Sequence, residues 1–408
     1  MRKHLSVLTA LASALLLAAP CLAAEDDIVL PSEQQSEPEL DLQTFGDYVY
    51  VQLTNAEDSS KKAVCIEKYT GTETNVVLPE SINGMPVVML GNQCFGGNRI
   101  AERIELPKSL EALGEYTFAE CTSLKEFAVA EGNKTFEAAE GILYAENKTV
   151  LLRYPAGKKT ESYTVPENVT ALGNVAFAYS DKMTSLTLPD SLKTIGKLAF
   201  SDCTSLTTIT VPALVENIPD HCFYRCKNLK TVDLNNNIKT IGGAAFACTA
   251  LSQIDLPTAL VSIGEAAFAD TPMKSITVPA KVTDIGYSAF GYKLAADQSL
   301  IAGKGFVIRG VAGSAAEQYA KSEDNIGAVT FEVIGAGQTT AASSTQPAEK
   351  EGMSVGRIIG IVICSVLLAA IVVIAAVMGI RKGKQKPQDT AGADTEGSSD
   401  PAAKEDAE

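Results

Sequence analysis

Residues Ile195–Pro212 read IGKLAFSDCTSLTTITVP, and Ile263–Pro279 read IGEAAFADTPMKSITVP. The shared unit is I-G-x-x-A-F-x-x-C-x-x-L-x-x-I-x-L-P, with weaker copies at Leu113–Val129 and Ile218–Leu234. Its anchors are Phe95, Phe118, Phe177, Phe200, Phe223, Phe246, Phe268 and Phe290, spaced by 23, 59, 23, 23, 23, 22 and 22 residues. Self-similarity at such a period marks a repeat architecture. L-x-x-I-x-L alternates and predicts a strand with one face inward. The proline after it has no N–H, so the strand ladder stops there. The glycine before Ala-Phe permits a tight turn, and Ala-Phe plugs the interior. One unit cannot bury its apolar face alone, whereas stacked units bury it continuously. The expected fold is a mainly-β repeat solenoid: a right-handed coil with one parallel sheet and short turns or 3-10 segments opposite.

Outward from the repeat, the two ends carry targeting signals. Arg2, Lys3 and His4 precede an apolar run from Leu5 to Ala19, Pro20 and a Cys21-Leu22-Ala23 cleavage site. Residues 1–23 therefore read as a secretory signal peptide. Ile358–Ile380 (IIGIVICSVLLAAIVVIAAVMGI) holds no charge. At about 1.5 Å per residue it is long enough to cross a bilayer as one C-terminal transmembrane helix. Arg381, Lys382, Lys384 and Lys386 follow it, which puts the C-terminus in the cytoplasm. The expected organisation is an acidic disordered leader at 24–47, a solenoid at 48–334, a Ser/Thr/Ala stalk at 335–357, the span at 358–380 and a disordered cytoplasmic tail at 381–408. Within the solenoid, about 130–160 is an irregular insertion and about 306–334 a closing unit. The expected location is the cell membrane, single pass, with the ectodomain outside.

Composition removes several function classes. Of 408 residues, 34 are basic and 49 acidic, a net charge of −15, which disfavours nucleic acid as a partner. His4 and His221 are the only histidines, and tryptophan is absent. No Gly-rich phosphate loop, nucleophile elbow or HExxH motif occurs. No catalytic residue, cofactor or metal is expected, and the chain is not read as an enzyme.

Three further stretches complete the pattern: Ala63–Gly71 leading to Val76–Gly91, the insertion Gly141–Pro155, and Ile308–Ile334. With the repeat, they resemble the entry, hairpin and closing units of the BspA-like leucine-rich repeats of bacterial surfaces and some protists. The resemblance runs from about Tyr48 to Ile334. It implies a solenoid fold, adhesion or host interaction, and no catalytic residues. No asparagine follows L-x-L, so the asparagine ladder of ordinary leucine-rich repeats is not expected.

Nine cysteines in an exported chain invite a disulfide reading. Yet Cys121, Cys203 and Cys226 recur three residues after the anchor Phe, and Cys94 and Cys222 just before it. These positions suit small core residues. The alternatives are a Cys203–Cys226 bridge between neighbouring turns and a zinc site of His221, Cys222 and Cys226. Three glycosylation sequons start at Asn133, Asn147 and Asn168.

The strand residues on either side of each central apolar residue point outward. From Ser185 onward they form a stripe: Ser185, Thr187, Thr208, Thr210, Thr231, Asp233, Gln253, Asp255, Ser275 and Thr277. Threonine neighbours support sheets in any case. Solenoid faces also serve as binding faces, and this stripe is the candidate binding face for an extracellular protein or glycan. The expected function is adhesin-like display. The alternatives are a structural envelope component without a host ligand and, further off, a surface hydrolase.

Overall fold

The computed structural model describes residues 41–54 and 60–334. It opens with antiparallel strands Gln43–Phe45, Tyr48–Thr54 and Lys62–Tyr69, and Met85–Leu90 then joins Lys62–Tyr69 in parallel. The first strand lies inside the stretch read as leader. From there the chain coils as a mainly-β solenoid, each turn contributing the same three layers.

The first layer holds the L-x-x-I-x-L strands. Asn75–Val77, Arg103–Leu106 and Glu126–Val129 pair in parallel. Ser162–Thr164 pairs with Ser185–Thr187, Thr208–Thr210 with Thr231–Asp233, and Ser275–Thr277 with Phe306–Gly310 and then Val329–Val333. The layer is thus a row of short sheets on one face. Residues Gln253 to Asp255 carry the pattern but form no strand.

A second parallel ladder corrects the expectation of a single sheet. Asn217–Ile218, Thr240–Ile241, Ser262–Ile263 and Asp284–Ile285 form one continuous sheet of two-residue strands. Each ends one residue before the repeat glycine, except that Pro219 stands there in the first. The glycines are needed for proximity rather than for a left-handed turn. A Cβ on Gly196 would lie 2.4 Å from the Asn174 backbone nitrogen, and one on Gly264 2.5 Å from that of Gly243.

The third layer is built around Ala-Phe. Leu198, Phe200 and Asp202 donate their N–H groups to the carbonyls of Asp220, Cys222 and Tyr224 in the next turn, at 3.2, 2.9 and 2.9 Å. His221, Phe223 and Arg225 do the same to Gly243, Ala245 and Ala247. From Phe118 to Phe268, the residues two before and two after the anchor Phe are left-handed although they are not glycine: Leu198 and Asp202 at φ +54° and +57°, His221 and Arg225 at +56° and +59°. Every second N–H of the segment, on Leu198, Phe200 and Asp202, thus points toward the next turn. The ladder offsets a strain of about 1 kcal/mol per left-handed residue.

Inside, the phenylalanines stack. From Phe177 through Phe200, Phe223, Phe246 and Phe268 to Phe290, ring centroids are 5.0–5.7 Å apart and planes within 16°. Tyr69 stacks on Phe95 and Tyr154 on Phe177, so two tyrosines occupy Phe positions. The Cys residues three after Phe donate their S–H to the Phe carbonyl one turn back, Cys203 to Phe177 at 3.1 Å and Cys226 to Phe200 at 3.0 Å. The seven described cysteines are free.

The insertion is a three-stranded meander, Phe136–Ala139, Ile142–Ala145 and Val150–Arg153. The closing unit is a helix, Ala315–Lys321, followed by the 3-10 turn Glu323–Asn325 and strand Val329–Val333. Tyr319 ends the ladder: its hydroxyl accepts the Phe290 N–H at 2.9 Å and donates to the Phe290 carbonyl at 2.8 Å. No helix among the described residues is long and apolar enough to cross a membrane. The segments read as signal, stalk, span and tail lie outside the described residues.

Candidate functional site

The strand layer places the stripe. In Ser185–Thr187, Thr208–Thr210 and Thr231–Asp233 the middle residue is buried and both flanking residues are exposed. In Ser275–Thr277 the first residue is half-buried and the last exposed. Gln253 and Asp255 are exposed around half-buried Ile254, outside any strand. The register aligns Ser162 with Ser185, Thr208 with Thr231, Thr164 with Thr187, and Thr210 with Asp233. Two columns result, with rungs about 4.8 Å apart where strands pair. Ser162 and Thr164 extend the columns one rung further toward the N-terminus. Their unit lacks the L-x-x-I spacing because the insertion precedes it, so the sequence pattern passed over them.

The side chains of this stripe share a property that its two ends lack. Among the described residues, none of the ten side chains from Ser185 to Thr277 has a side-chain hydrogen bond or ion pair within the chain. N-terminal to the stripe, the same face is charged and paired with itself. Arg103 contacts Glu105 at 2.7 Å and Glu126 at 3.1 Å, and donates to Asn75 at 3.0 Å. C-terminal to it, Arg309 pairs with Glu332 at 2.8 Å. The middle of the face therefore presents free donors and acceptors, with two carboxylates, Asp233 and Asp255, on neighbouring units. Flat hydrogen-bonding surfaces of this kind suit extended partners more than a single small molecule.

The other candidate chemistry does not converge. Cys222 and Cys226 are wholly buried, while His221 is exposed and packs edge-on against Tyr224 at 5.4 Å. Burial pushes the Cys226 and Cys222 thiols well above their ordinary value. Among the described residues no three His, Cys, Asp or Glu side chains gather as metal ligands would. Of the sequons, Asn133 is committed to structure. Its amide donates to the Pro107 and Leu110 carbonyls at 2.9 and 3.0 Å, and its Oδ1 accepts from Thr135 and Phe136. Asn168 donates to the Lys148 carbonyl at 2.8 Å.

The family model of the BspA type leucine rich repeat region matches residues 66–140 and 158–295 in six copies. No curated protein matches the chain. Among solved structures, a leucine-rich repeat protein from Eubacterium ventriosum is 24% identical, covering 49% of this chain and 65% of that one at a TM-score of 0.36. The pneumococcal vaccine antigen PcpA is 22% identical, covering 62% of this chain and 60% of that one at 0.41. A leucine rich cell surface protein from Faecalibacterium prausnitzii is 19% identical, covering 72% of this chain and 95% of that one at 0.34. The chain spans less than two thirds of the length of the first two.

Proposed function

The chain belongs to the BspA-type leucine-rich repeat family, and from that premise we propose that it is a cell-surface binding protein of adhesin-like type, displaying the solenoid outward to engage an extracellular protein or glycan. The observation that carries this reading is the stripe from Ser185 to Thr277, exposed at nine of its ten residues and, among the described residues, without internal side-chain partners. Polar groups that a fold needs for itself are bonded to itself, as Arg103 and Glu105 are. Each exposed contact contributes only about 0.5–1.5 kcal/mol, so binding draws on several turns at once. The signal peptide, stalk and Ile358–Ile380 span read from the sequence supply the display.

Two measurements test the reading. Protease applied to intact cells should remove the ectodomain while the tail after Arg381 survives; protection of the ectodomain refutes the topology. Pulldown should then compare host matrix proteins, mucin glycans and purified cell wall. Retention by a matrix protein or glycan supports the reading. Retention by wall alone overturns it in favour of a structural envelope role.

A further inference from the structure

The strand layer ends on an open edge. Phe306–Gly310 and Val329–Val333 are each five residues long, whereas the strands that carry the stripe have three. The two pair in parallel without a bulge. The Phe306 N–H donates to the Ala328 carbonyl at 3.2 Å, and the Ile334 N–H to the Gly310 carbonyl at 2.9 Å. Successive strand residues turn their peptide groups to opposite edges, so Thr330 and Glu332 also face Phe306–Gly310. Val329, Phe331 and Val333 face the other way. Among the described residues no strand pairs with that edge, and nothing bonds its N–H and carbonyl groups.

The edge also lacks the usual protection. Natural edge strands are blunted by proline, lysine, a bulge or a cover. The strand reads VTFEV, and its one charge, Glu332, is already paired with Arg309 at 2.8 Å. The two most exposed large apolar side chains among the described residues belong to this closing unit, Ile326 at 71% and Val333 at 61%. Val333 ends the row Val329, Phe331, Val333, whose first member is buried and second half-buried. Exposed apolar side chains beside unpaired strand groups mark an association surface.

The occupant is set by the sequence of the edge, which is complementary to itself. Two identical strands related by a twofold axis run antiparallel. Centred on Phe331, they oppose Phe331 to the partner's Phe331, Val329 to the partner's Val333, and Thr330 to the partner's Glu332. Opposed residues that face the partner exchange two bonds, so the three such pairs make six and use every free group on both strands. Val333 is covered by the partner's Val329, and the Thr330 hydroxyl meets a carboxylate. Centred on Glu332 instead, two carboxylates would oppose each other. In sequence this is also the edge nearest the segment read as stalk, which starts at 335. We propose that the Val329–Val333 edge is a homodimer interface, in which two copies of this chain join their strand layers antiparallel about Phe331. It uses none of the stripe residues and does not depend on what the stripe binds.

Sedimentation of the full chain in detergent, across a concentration series, tests it. Wild type should reach twice the monomer mass. Val333→Pro should stay monomeric with an unchanged melting temperature, because proline removes an edge-facing N–H that no internal bond uses. Disulfide trapping reads the register without relying on that variant. A mixture of Thr330→Cys and Glu332→Cys chains should cross-link, and either alone should not, since only residues 330 and 332 stand directly opposite. A wild type that stays monomeric, with the edge covered by its own chain, would overturn the proposal. So would a dimer that survives Val333→Pro, or equal trapping by either cysteine variant alone.

Discussion

At the scale of the residue, the interior is governed by the ring stack and by backbone sign. Phe223 is fully buried between Phe200 and Phe246 at 5.0 and 5.3 Å. Phe223→Ala should lower stability by about 3–5 kcal/mol in denaturant titration. A loss under about 1 kcal/mol would mean the turns close over the cavity. Neighbouring alanines separate the backbone effect from packing. Ala244 sits at φ +50°, whereas buried Ala245 is not left-handed. Glycine relieves strain only at the first, so Ala244→Gly should be near neutral and Ala245→Gly should cost about 1 kcal/mol. Equal effects would contradict the left-handed ladder. The sequence does not announce these positions, because Val175, Leu198 and His221 occupy them in place of glycine.

At the scale of the element, what was legible was what recurs. The Phe anchors and the outward register of Thr208, Thr210 and Thr231 are set by alternation and came directly from the pattern. The second ladder was not legible, since strands such as Thr240–Ile241 are too short to show a period. Tyr69 and Tyr154 were missed as anchors because neither follows I-G-x-x-A; only the stacked rings reveal them. The stripe could be listed from the sequence, but its lack of internal partners could not, as it depends on where Arg103 and Arg309 find carboxylates. The closing helix has a specific task. Tyr319 supplies the donor and acceptor that Phe290 would find in a further turn. Tyr319→Phe should therefore cost about 1–3 kcal/mol through the orphaned Phe290 groups. Hydrogen exchange should show the loss concentrated near the Phe290 turn; an even loss along the solenoid would contradict the cap.

At the scale of the whole molecule, the buried thiols predict a pH limit. Burial pushes Cys121 up to about 11 and Cys203 up to about 12, from an ordinary value of 9.0. Because the folded value is the higher, the unfolded chain loses these protons first as pH rises. Their contribution is complete below about pH 9 and is lost as pH climbs through 11 to 12. The urea midpoint should hold from neutral pH to about 9 and fall above it, reversibly; a flat midpoint to about pH 12 would contradict the burial of the thiols. In this architecture the interior is held by rings and backbone ladders, while the side chains of the stripe are left unbonded. The most direct measurement replaces Thr208, Thr210, Thr231 and Asp233 together with lysine and compares this variant with wild type against the partner retained in pulldown. The account predicts that binding is lost while circular dichroism and melting temperature are unchanged, because all four side chains are exposed. A folded variant that binds as wild type does would place the binding face elsewhere on the solenoid.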